Sequence, residues 1–299
     1  MNTIKCLVTG AAGFIGSTIV DELILKNCEV VAIDDESANN ENFFWNSRAK
    51  NYKFSILDYN SIEPLFENID YVFHLGAESR IVNAIERPKE TYDVNIIGTH
   101  NVLNASWVHQ VKRVVFSSTS SVYGLNPTPN SELDREDCLN PYSISKLASE
   151  KICKIFTTSY KLPITILRYF NVFGERASSN GIYAPVSSIF LRQKKANLPL
   201  TVVGDGENRR DFVYVKDVVK ANFDFCFLEQ KSSFNDVFNV GSSRNISILK
   251  LAKLISPDIK FIPPRIGEAK TTLADIKKIN STIKWLPSLL IEDWVKKFL

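Results

Sequence analysis

The run Thr9-Gly10-Ala11-Ala12-Gly13-Phe14-Ile15-Gly16 decides the fold. Before it, Lys5 to Val8 reads as a buried strand. After it, Ile19, Val20, Leu23 and Ile24 are spaced as one face of a helix. Strand, glycine loop and helix in that order form the context that a dinucleotide-binding loop requires. Gly10 permits the tight turn, and Gly13 lets a pyrophosphate approach the backbone at the helix N-terminus beside Phe14 and Ile15. Gly16 lets the helix pack closely on the strand. A second strand, Glu29 to Ile33, ends in Asp34, whose carboxylate can take both ribose hydroxyls of NAD and would repel the extra phosphate of NADP. No Arg immediately follows Asp34. The expected fold class is α/β, a Rossmann-type doubly wound parallel sheet with a smaller C-terminal α+β substrate lobe, and the expected cofactor is NAD.

A second stretch carries reactive groups. Val114, Val115 and Phe116 form a short buried strand with Ser117 near its carboxyl end, followed by Ser118-Thr119-Ser120-Ser121-Val122-Tyr123-Gly124. Ligands bind at that end of an open α/β sheet. Asn140-Pro141-Tyr142-Ser143-Ile144-Ser145-Lys146 then starts a helix, with Pro141 in the first turn and Ile144, Leu147, Ile152, Ile155 and Phe156 at helical spacing. Tyr142 and Lys146 share one face, a turn apart. A free phenol has a pKa of about 10. An ammonium one turn away, with a cationic nicotinamide ring, lowers that value and makes Tyr142 a base, while Thr119 can hold the hydroxyl it deprotonates. Alone, Tyr-x-x-x-Lys is a common surface pattern; the upstream loop gives it weight.

The 299 residues suffice for one large or two modest domains. Hydrophobic content of 44%, charged content of 23% and a net charge of +3 describe an ordinary globular chain without a nucleic-acid footprint. Five cysteines with no C-x-x-C spacing, and only three histidines, point to reduced thiols and no metal site. The N-terminus runs directly into a strand, without a charged-then-apolar signal segment, and no apolar run is long enough for a bilayer. A cytoplasmic protein with no membrane partner is expected.

The G-x-x-G-x-x-G spacing of Gly10, Gly13 and Gly16 resembles the extended short-chain dehydrogenase/reductases, the sugar-nucleotide epimerases and dehydratases, and the resemblance covers essentially the whole chain. Lys53 to Leu57 reads as a third strand, and Asp58 beyond it matches the family's adenine-contacting acid. Asp70 to Leu75 reads as a fourth strand. His74-Leu75-Gly76-Ala77 is similar to the family's H-x-A-A turn beside the cofactor, with Gly76 for the usual Ala, and His74 itself reads as structural. Asn95-Ile96-Ile97-Gly98-Thr99 matches the N-x-x-G-T start of a long helix, where the Asn braces the catalytic strand. The resemblance further implies cofactor contacts from Leu75, Gly76, Ala77, Asn95, Ser117, Tyr142, Lys146 and Phe170.

Ile164 to Leu167 reads as a further strand. Arg168-Tyr169-Phe170-Asn171-Val172-Phe173-Gly174 then resembles the family's L-R-Y-F-N-V-Y-G motif, which places Asn171 on a substrate diphosphate. Gly204 to Glu207 and Arg210 to Val215 resemble G-D-G-x-x-x-R-D-F-x-Y-V, with Arg210 as a phosphate clamp. Thr201 and Val203, on a short strand from Leu200 to Val203, would line the uracil, and Phe238 to Gly241 reads as the return strand of the cofactor domain. Pro264-Arg265-Ile266-Gly267-Glu268 implies Arg265 on the phosphates and Glu268 on the nucleotide ribose. Two guanidinium forks on one diphosphate are chemically apt. Ser79 joins the expected substrate residues. Trp285, Leu286, Trp294 and Phe298 read as core packing. The expected domains are 1–172 plus 211–241 for NAD, and 173–210 plus 242–299 for the nucleotide sugar.

The expected reaction follows from what the family motif lacks here. Dehydratases typically carry Thr-Asp-Glu where this chain has Thr119-Ser120-Ser121, and nucleotide-sugar decarboxylases carry a Glu at the third position. Thr119, Tyr142 and Lys146 suffice for oxidation and re-reduction at one carbon, which points to a UDP-hexose 4-epimerase. Thr272 stands where epimerases restricted to glucose and galactose often have Tyr, so it leaves room for a 2-acetamido group. Asn180 to Ala184 resembles the N-G-x-Y-A segment of epimerases acting on N-acetylated sugars. UDP-GlcNAc/UDP-GalNAc is thus the favoured pair, with UDP-glucose/galactose possible. Arg80, where small residues are common, and the dehydratase-like His74 to Ser79 keep UDP-glucuronate 4-epimerase and a 4,6-dehydratase open. An inactive sugar-nucleotide-binding protein and a one-way reductase stay open as well. The resemblance also implies a homodimer through helices at about Tyr92 to Val108 and Ser143 to Tyr160.

Overall fold

A computed structural model describes residues 3–38, 43–178, 184–228, 235–264 and 269–298. Twelve strands form along it: β1 (Lys5–Thr9), β2 (Glu29–Ile33), β3 (Lys50–Tyr52), β4 (Tyr71–His74), β5 (Arg113–Thr119), β6 (Ile164–Tyr169), β7 (Asn171–Phe173), β8 (Leu200–Val203), β9 (Arg209–Tyr214), β10 (Val237–Val240), β11 (Asn245–Ser247) and β12 (Ile259–Ile262). Seven make one sheet in the order β10-β6-β5-β4-β1-β2-β3. The pairs β1–β2, β1–β4, β2–β3 and β4–β5 are parallel, as a doubly wound sheet requires. The order reverses direction between β1 and β4, and the dinucleotide crevice of such sheets lies at that switch.

The helices are α1 (Phe14–Leu25), α2 (Tyr59–Ile62), α3 (Ile81–Glu86), α4 (Pro88–Tyr92), α5 (Gly98–Val108), α6 (Pro141–Ser159), α7 (Val186–Lys195), α8 (Val215–Phe227), α9 (Ile248–Ile255), α10 (Lys277–Ile283) and α11 (Ile291–Val295). A π-helical turn, Asp93–Ile97, joins α4 to α5. Helix α6 starts with a capping box in which the Asn140 side chain accepts from the Ser143 N–H, with Pro141 in the first turn.

The chain forms two compact units. One comprises Met1–Thr119, Asn140–Arg168 and Val219–Phe238; the other comprises Ser120–Leu139, Tyr169–Val218 and Asn239–Leu299. Segments 120–139, 169–172, 211–218 and 239–241 therefore group with the second unit, where the sequence reading draws them into the first. The first unit is built on a core that includes Leu7, Ile33, Phe66, Val72, Leu103, Val114, Phe116, Phe156 and Ile164. Its neighbour has a core of its own, with Phe173, Phe190, Leu200, Phe212, Leu251, Ile291 and Trp294. In the second unit β9 runs between β11 and β7, antiparallel to the first and parallel to the second, and β8 pairs with β12.

Two details correct the sequence reading. The third strand is Lys50–Tyr52, not Lys53 to Leu57. It pairs with Val31 to Ile33, and Phe54 and Leu57 are exposed where the chain turns toward α2. The apolar cluster Phe54, Ile56 and Leu57 imitates a strand, but of the three only Ile56 is buried. Trp285 and Trp294 are buried as expected, but Leu286 is 60% and Phe298 52% exposed. Phe298 packs edge-on against Trp294 at the surface instead of entering the core.

Candidate active site

The glycine loop has the geometry that its sequence predicts. Gly10 adopts a φ of 66°, and a Cβ there would stand 2.8 Å from the Gly76 nitrogen, so the β1 and β4 loops touch backbone to backbone. A Cβ on Gly16 would lie 2.0 Å from the Gly10 carbonyl oxygen, which fixes glycine at that position too. Helix α1 begins at Gly13 with no side-chain cap and no acidic residue in its first turn. Such an end is an anion site, ready for a pyrophosphate. Asp34 is held by the Ala12 N–H (3.0 Å) and the Glu36 N–H (2.8 Å), one on each carboxylate oxygen. Burial raises its pKa above the ordinary value despite those bonds. Its remaining lone pairs suit two ribose hydroxyls. These residues fit NAD.

Asp58 is engaged locally: its side chain caps α2, accepting from the Ser61 N–H at 3.3 Å. His74 is locked rather than reactive. The Thr99 hydroxyl donates to the Asn95 carbonyl, so it accepts from His74 Nε2 at 3.0 Å; Nδ1 then accepts from Thr9 Oγ1 at 2.7 Å. Thr9 Oγ1 in turn accepts the Leu75 and Gly76 N–H groups, which sets the H-x-A-A turn. Burial depresses the His74 pKa to about 3, and the nearby Lys146 charge lowers it further.

At the carboxyl end of β5, Thr119 hydrogen-bonds Tyr142, one turn before Lys146 on α6. Desolvation pushes the Tyr142 phenol up to about 12; the Thr119 bond lowers it and the Glu78 charge raises it. Among the protein's own groups, burial outweighs the single hydrogen bond and holds the phenol above its usual range, opposite in direction to the expectation for the phenol beside a nicotinamide charge. Lys146 is enclosed, its Nζ 4.3 Å from the centre of the Phe116 ring. Burial lowers its pKa to about 8, while Cys153 and Glu150 hold it up.

Two groups escaped sequence reading. Behind Lys146, Glu150 takes a bidentate pair from Arg168, Nε at 2.9 Å and Nη2 at 2.7 Å, with both side chains 4% exposed, and Ser118 Oγ donates to the same carboxylate. The Lys-x-x-x-Glu spacing is visible in the sequence; its Arg partner, 18 positions on, is not. Glu78 is the second. Asn95 is fully buried, its Oδ1 accepting from the Glu78 N–H and its Nδ2 donating to the Glu78 carbonyl and to Ser145 Oγ. Asn95 thus braces the Glu78 loop against α6 through Ser145. Phe170 is buried and stacks with Tyr123, and Ser117 lies buried in β5. Leu75, Gly76, Ala77 and Glu78 are partly buried and Ser79 is exposed.

In the second unit the expected substrate residues fall into two places. Asn171 Nδ2 donates to the Asp211 carbonyl (2.9 Å) and to Thr272 Oγ1 (3.2 Å), and the Asp211 N–H also donates to Thr272 Oγ1. Arg210 Nη1 donates to the Arg209 and Lys270 carbonyls. Thr201 and Val203 are on β8, where Thr201 exchanges two hydrogen bonds with the Gln193 amide. Arg265, Glu268 and Asn180 to Tyr183 lie outside the described residues. Among the described residues no helix is long and apolar enough to cross a membrane.

A family model described as the NAD dependent epimerase/dehydratase family matches residues 6–241. The chain belongs to that family. NAD is its cofactor, and the family assignment makes it an NAD-dependent epimerase of the extended short-chain dehydrogenase/reductase kind. The chain is 31% identical to the UDP-glucose 4-epimerase of Mycolicibacterium smegmatis over 98% of its own length and 96% of that protein's. Among solved structures, the Thermotoga maritima UDP-glucose 4-epimerase with UDP-glucose superposes with a TM-score of 0.92 at 33% identity, covering 98% of this chain and 96% of that one. The UDP-N-acetylglucosamine 4-epimerase of Methanobrevibacter ruminantium, in complex with UDP-N-acetylmuramic acid, gives 0.89 at 33% identity over 100% and 96%.

Proposed function

We propose that the protein inverts C4 of a UDP-hexose, with UDP-GlcNAc/UDP-GalNAc the favoured pair and UDP-glucose/UDP-galactose a second. The observation that carries this is the Thr119–Tyr142–Lys146 set standing beside Ser120 and Ser121, which supply neither the acid nor the base that removal of water across C5 and C6 needs. NAD, held by the glycine loop and Asp34, would supply the hydride acceptor, the later hydride donor and a positive charge that favours the phenolate. Thr119 orients the sugar 4-hydroxyl, Tyr142 takes its proton, and the Lys146 ammonium favours the phenolate that does so. The 4-keto sugar then turns about its bond to the diphosphate, for which the sequence offers Arg210 and Arg265 as clamps. The Asn171 amide spends both its donors on the Asp211 carbonyl and Thr272 and so acts by fixing Thr272. Tyr142 returns its proton on the other face. Thr272, in place of a bulky Tyr, supports the acetylated sugar, as does the likeness to the Methanobrevibacter enzyme.

Assembly as a homodimer belongs to the same proposal. Trp107, Val108, Ile155 and Tyr160 are exposed on α5 and α6, beside a groove of about 590 Å³ lined by His100, Asn104, Lys151 and Phe156. A second copy of the same helix pair would cover it as a four-helix bundle. Ile155→Glu should yield monomers in sedimentation velocity; an unchanged dimer removes this face from the assembly.

The test of the reaction is proton NMR of purified protein with UDP-GlcNAc, UDP-glucose and UDP-glucuronate in separate tubes, without added cofactor. New galacto-configured anomeric signals with no loss of water are expected, fastest for UDP-GlcNAc. A 4-keto-6-deoxy product would make the protein a dehydratase, and three unchanged spectra even with added NAD would reject the proposal.

A further inference from the structure

The proposed chemistry leaves one fixed charge unused. Glu78 lies between β4 and α3, and its main chain is clamped at both ends by the Asn95 amide, N–H to Oδ1 at 2.8 Å and carbonyl to Nδ2 at 2.9 Å. The same Nδ2 donates to Ser145 Oγ at 2.8 Å, and that hydroxyl donates to the Tyr142 carbonyl at 2.7 Å. The clamp therefore ties the Glu78 loop to the turn that carries Tyr142. The carboxylate is fixed as well: Oε1 accepts the Arg80 N–H at 2.9 Å and Oε2 accepts Asn83 Nδ2 at 3.1 Å. A carboxylate held by both oxygens cannot swing away from an incoming anion.

We propose that Glu78 is a specificity-determining residue that admits neutral hexoses and disfavours hexuronates. This rests on the C4 epimerase reading. The sugar 4-hydroxyl has to reach Tyr142, and C6 is joined to C5, the carbon next to C4. The half-turn that inverts C4 exchanges the two sides of the ring, so the C6 substituent lies on the Glu78 side of the reacting carbon in one of the two orientations that both have to be occupied. A hexuronate brings a second carboxylate there, against a like charge that is locked in place. Thr119 from β5 and Glu78 from the loop after β4 act on the Tyr142 phenol; Lys146 stands one turn further along α6, His74 is held neutral by burial, and Arg80 follows two residues after Glu78. The Asn95–Ser145 bridge fixes the Glu78 loop to the turn that presents the reacting hydroxyl, and the Glu78 charge raises the phenol's pKa.

The experiment compares kcat/KM for UDP-GlcNAc, UDP-glucose and UDP-glucuronate, with the pH profile, in the wild type, Glu78→Gln, Glu78→Asp and Asn83→Ala. The wild type should favour the neutral sugars. Glu78→Gln keeps the size and an acceptor for the Arg80 N–H but removes the charge, so the glucuronate-to-neutral ratio should rise about tenfold and the ascending limb of the profile should move to lower pH. Glu78→Asp should keep the neutral preference, and Asn83→Ala, which removes one anchor and no charge, should change the ratio less than about twofold. Two results overturn the inference: a wild type that prefers UDP-glucuronate, especially one that loses this preference in Arg80→Gln, or a Glu78→Gln enzyme with ratio and limb unmoved. A wild type inert on all three sugars would instead remove the epimerase reading itself.

Discussion

The end of β5 with helix α6 and the β7–β9 region with Thr272 hold their functional groups in opposite ways. On β5 and α6 the groups are ionisable, desolvated and shifted: Tyr142 up to about 12, Lys146 down to about 8, each set by burial first. Around β7 and β9, Asn171, Arg210 and Thr272 are polar groups held by bonds to main-chain atoms and to each other. One region stores the chemistry in a costly electrostatic environment. The other stores geometry, in a network of hydrogen bonds. Mutations should therefore separate the two, with rate and pH dependence changing in the first and sugar selectivity in the second.

The largest effect should come from Tyr142→Phe, which keeps the ring and removes the proton carrier. Turnover of the preferred sugar should fall by about a thousandfold, within the range for loss of a general acid–base group, while NAD content stays unchanged. A loss below about tenfold, measured by the same NMR assay, would remove Tyr142 from the chemistry. Next is the buried pair behind Lys146. Glu150→Gln leaves Arg168 uncompensated in the interior and should destabilise the protein by about 3–5 kcal/mol in denaturant titration, whereas the double change Glu150→Met/Arg168→Met should recover most of that. If the two titrations coincide, Glu150 and Arg168 are not energetically coupled.

In the second region, Thr272 sharpens the comparison. Its hydroxyl accepts from Asn171 and from the Asp211 N–H, so Thr272→Tyr both fills space and removes two bonds. Thr272→Val removes the bonds alone. The account expects Thr272→Val to lower kcat/KM for acetylated and plain sugars alike, about tenfold. Thr272→Tyr should cost acetylated sugars about a further tenfold; equal losses on both classes would detach Thr272 from the sugar. The smallest effect concerns pH. His74 stays neutral in the fold, with a pKa of about 3 against an ordinary 6.5, so between those values the unfolded chain binds a proton that the native state refuses. Stability should fall as pH drops through that window, by up to about 1.4 kcal/mol per pH unit from this group. His74→Gln should flatten the slope between about pH 6 and 4, the part of that window below the ordinary histidine value; an unchanged slope would assign it to carboxylates instead.

How much of this was legible follows the same division. The glycine loop, Asp34 and Tyr142–Lys146 sit on regular elements or at their ends, where spacing dictates what shares a face, so residue type alone places them. The β3 strand slips because Phe54, Ile56 and Leu57 form an apolar cluster of strand length, although the parallel partner of β2 is the polar Lys50–Tyr52. Asn171 and Thr272 are 101 positions apart, and no periodicity reports a contact of that range. Glu78 is hidden for another reason: its environment is made by Asn83, Asn95 and the Arg80 backbone, each on a different turn of chain. The direction of the phenol's shift escapes a sequence reading because charge spacing is written in the sequence and desolvation is not.

The most direct test of the central claim, oxidation and re-reduction at one carbon with Tyr142 as proton carrier, is isotope retention. UDP-GlcNAc carrying deuterium at both C4 and C5 would be equilibrated with the protein in ordinary water, and the product examined by NMR and mass spectrometry. The account predicts UDP-GalNAc with deuterium still at C4 and no proton entering at C5. Loss of the C4 label, or solvent hydrogen at C5, would contradict it.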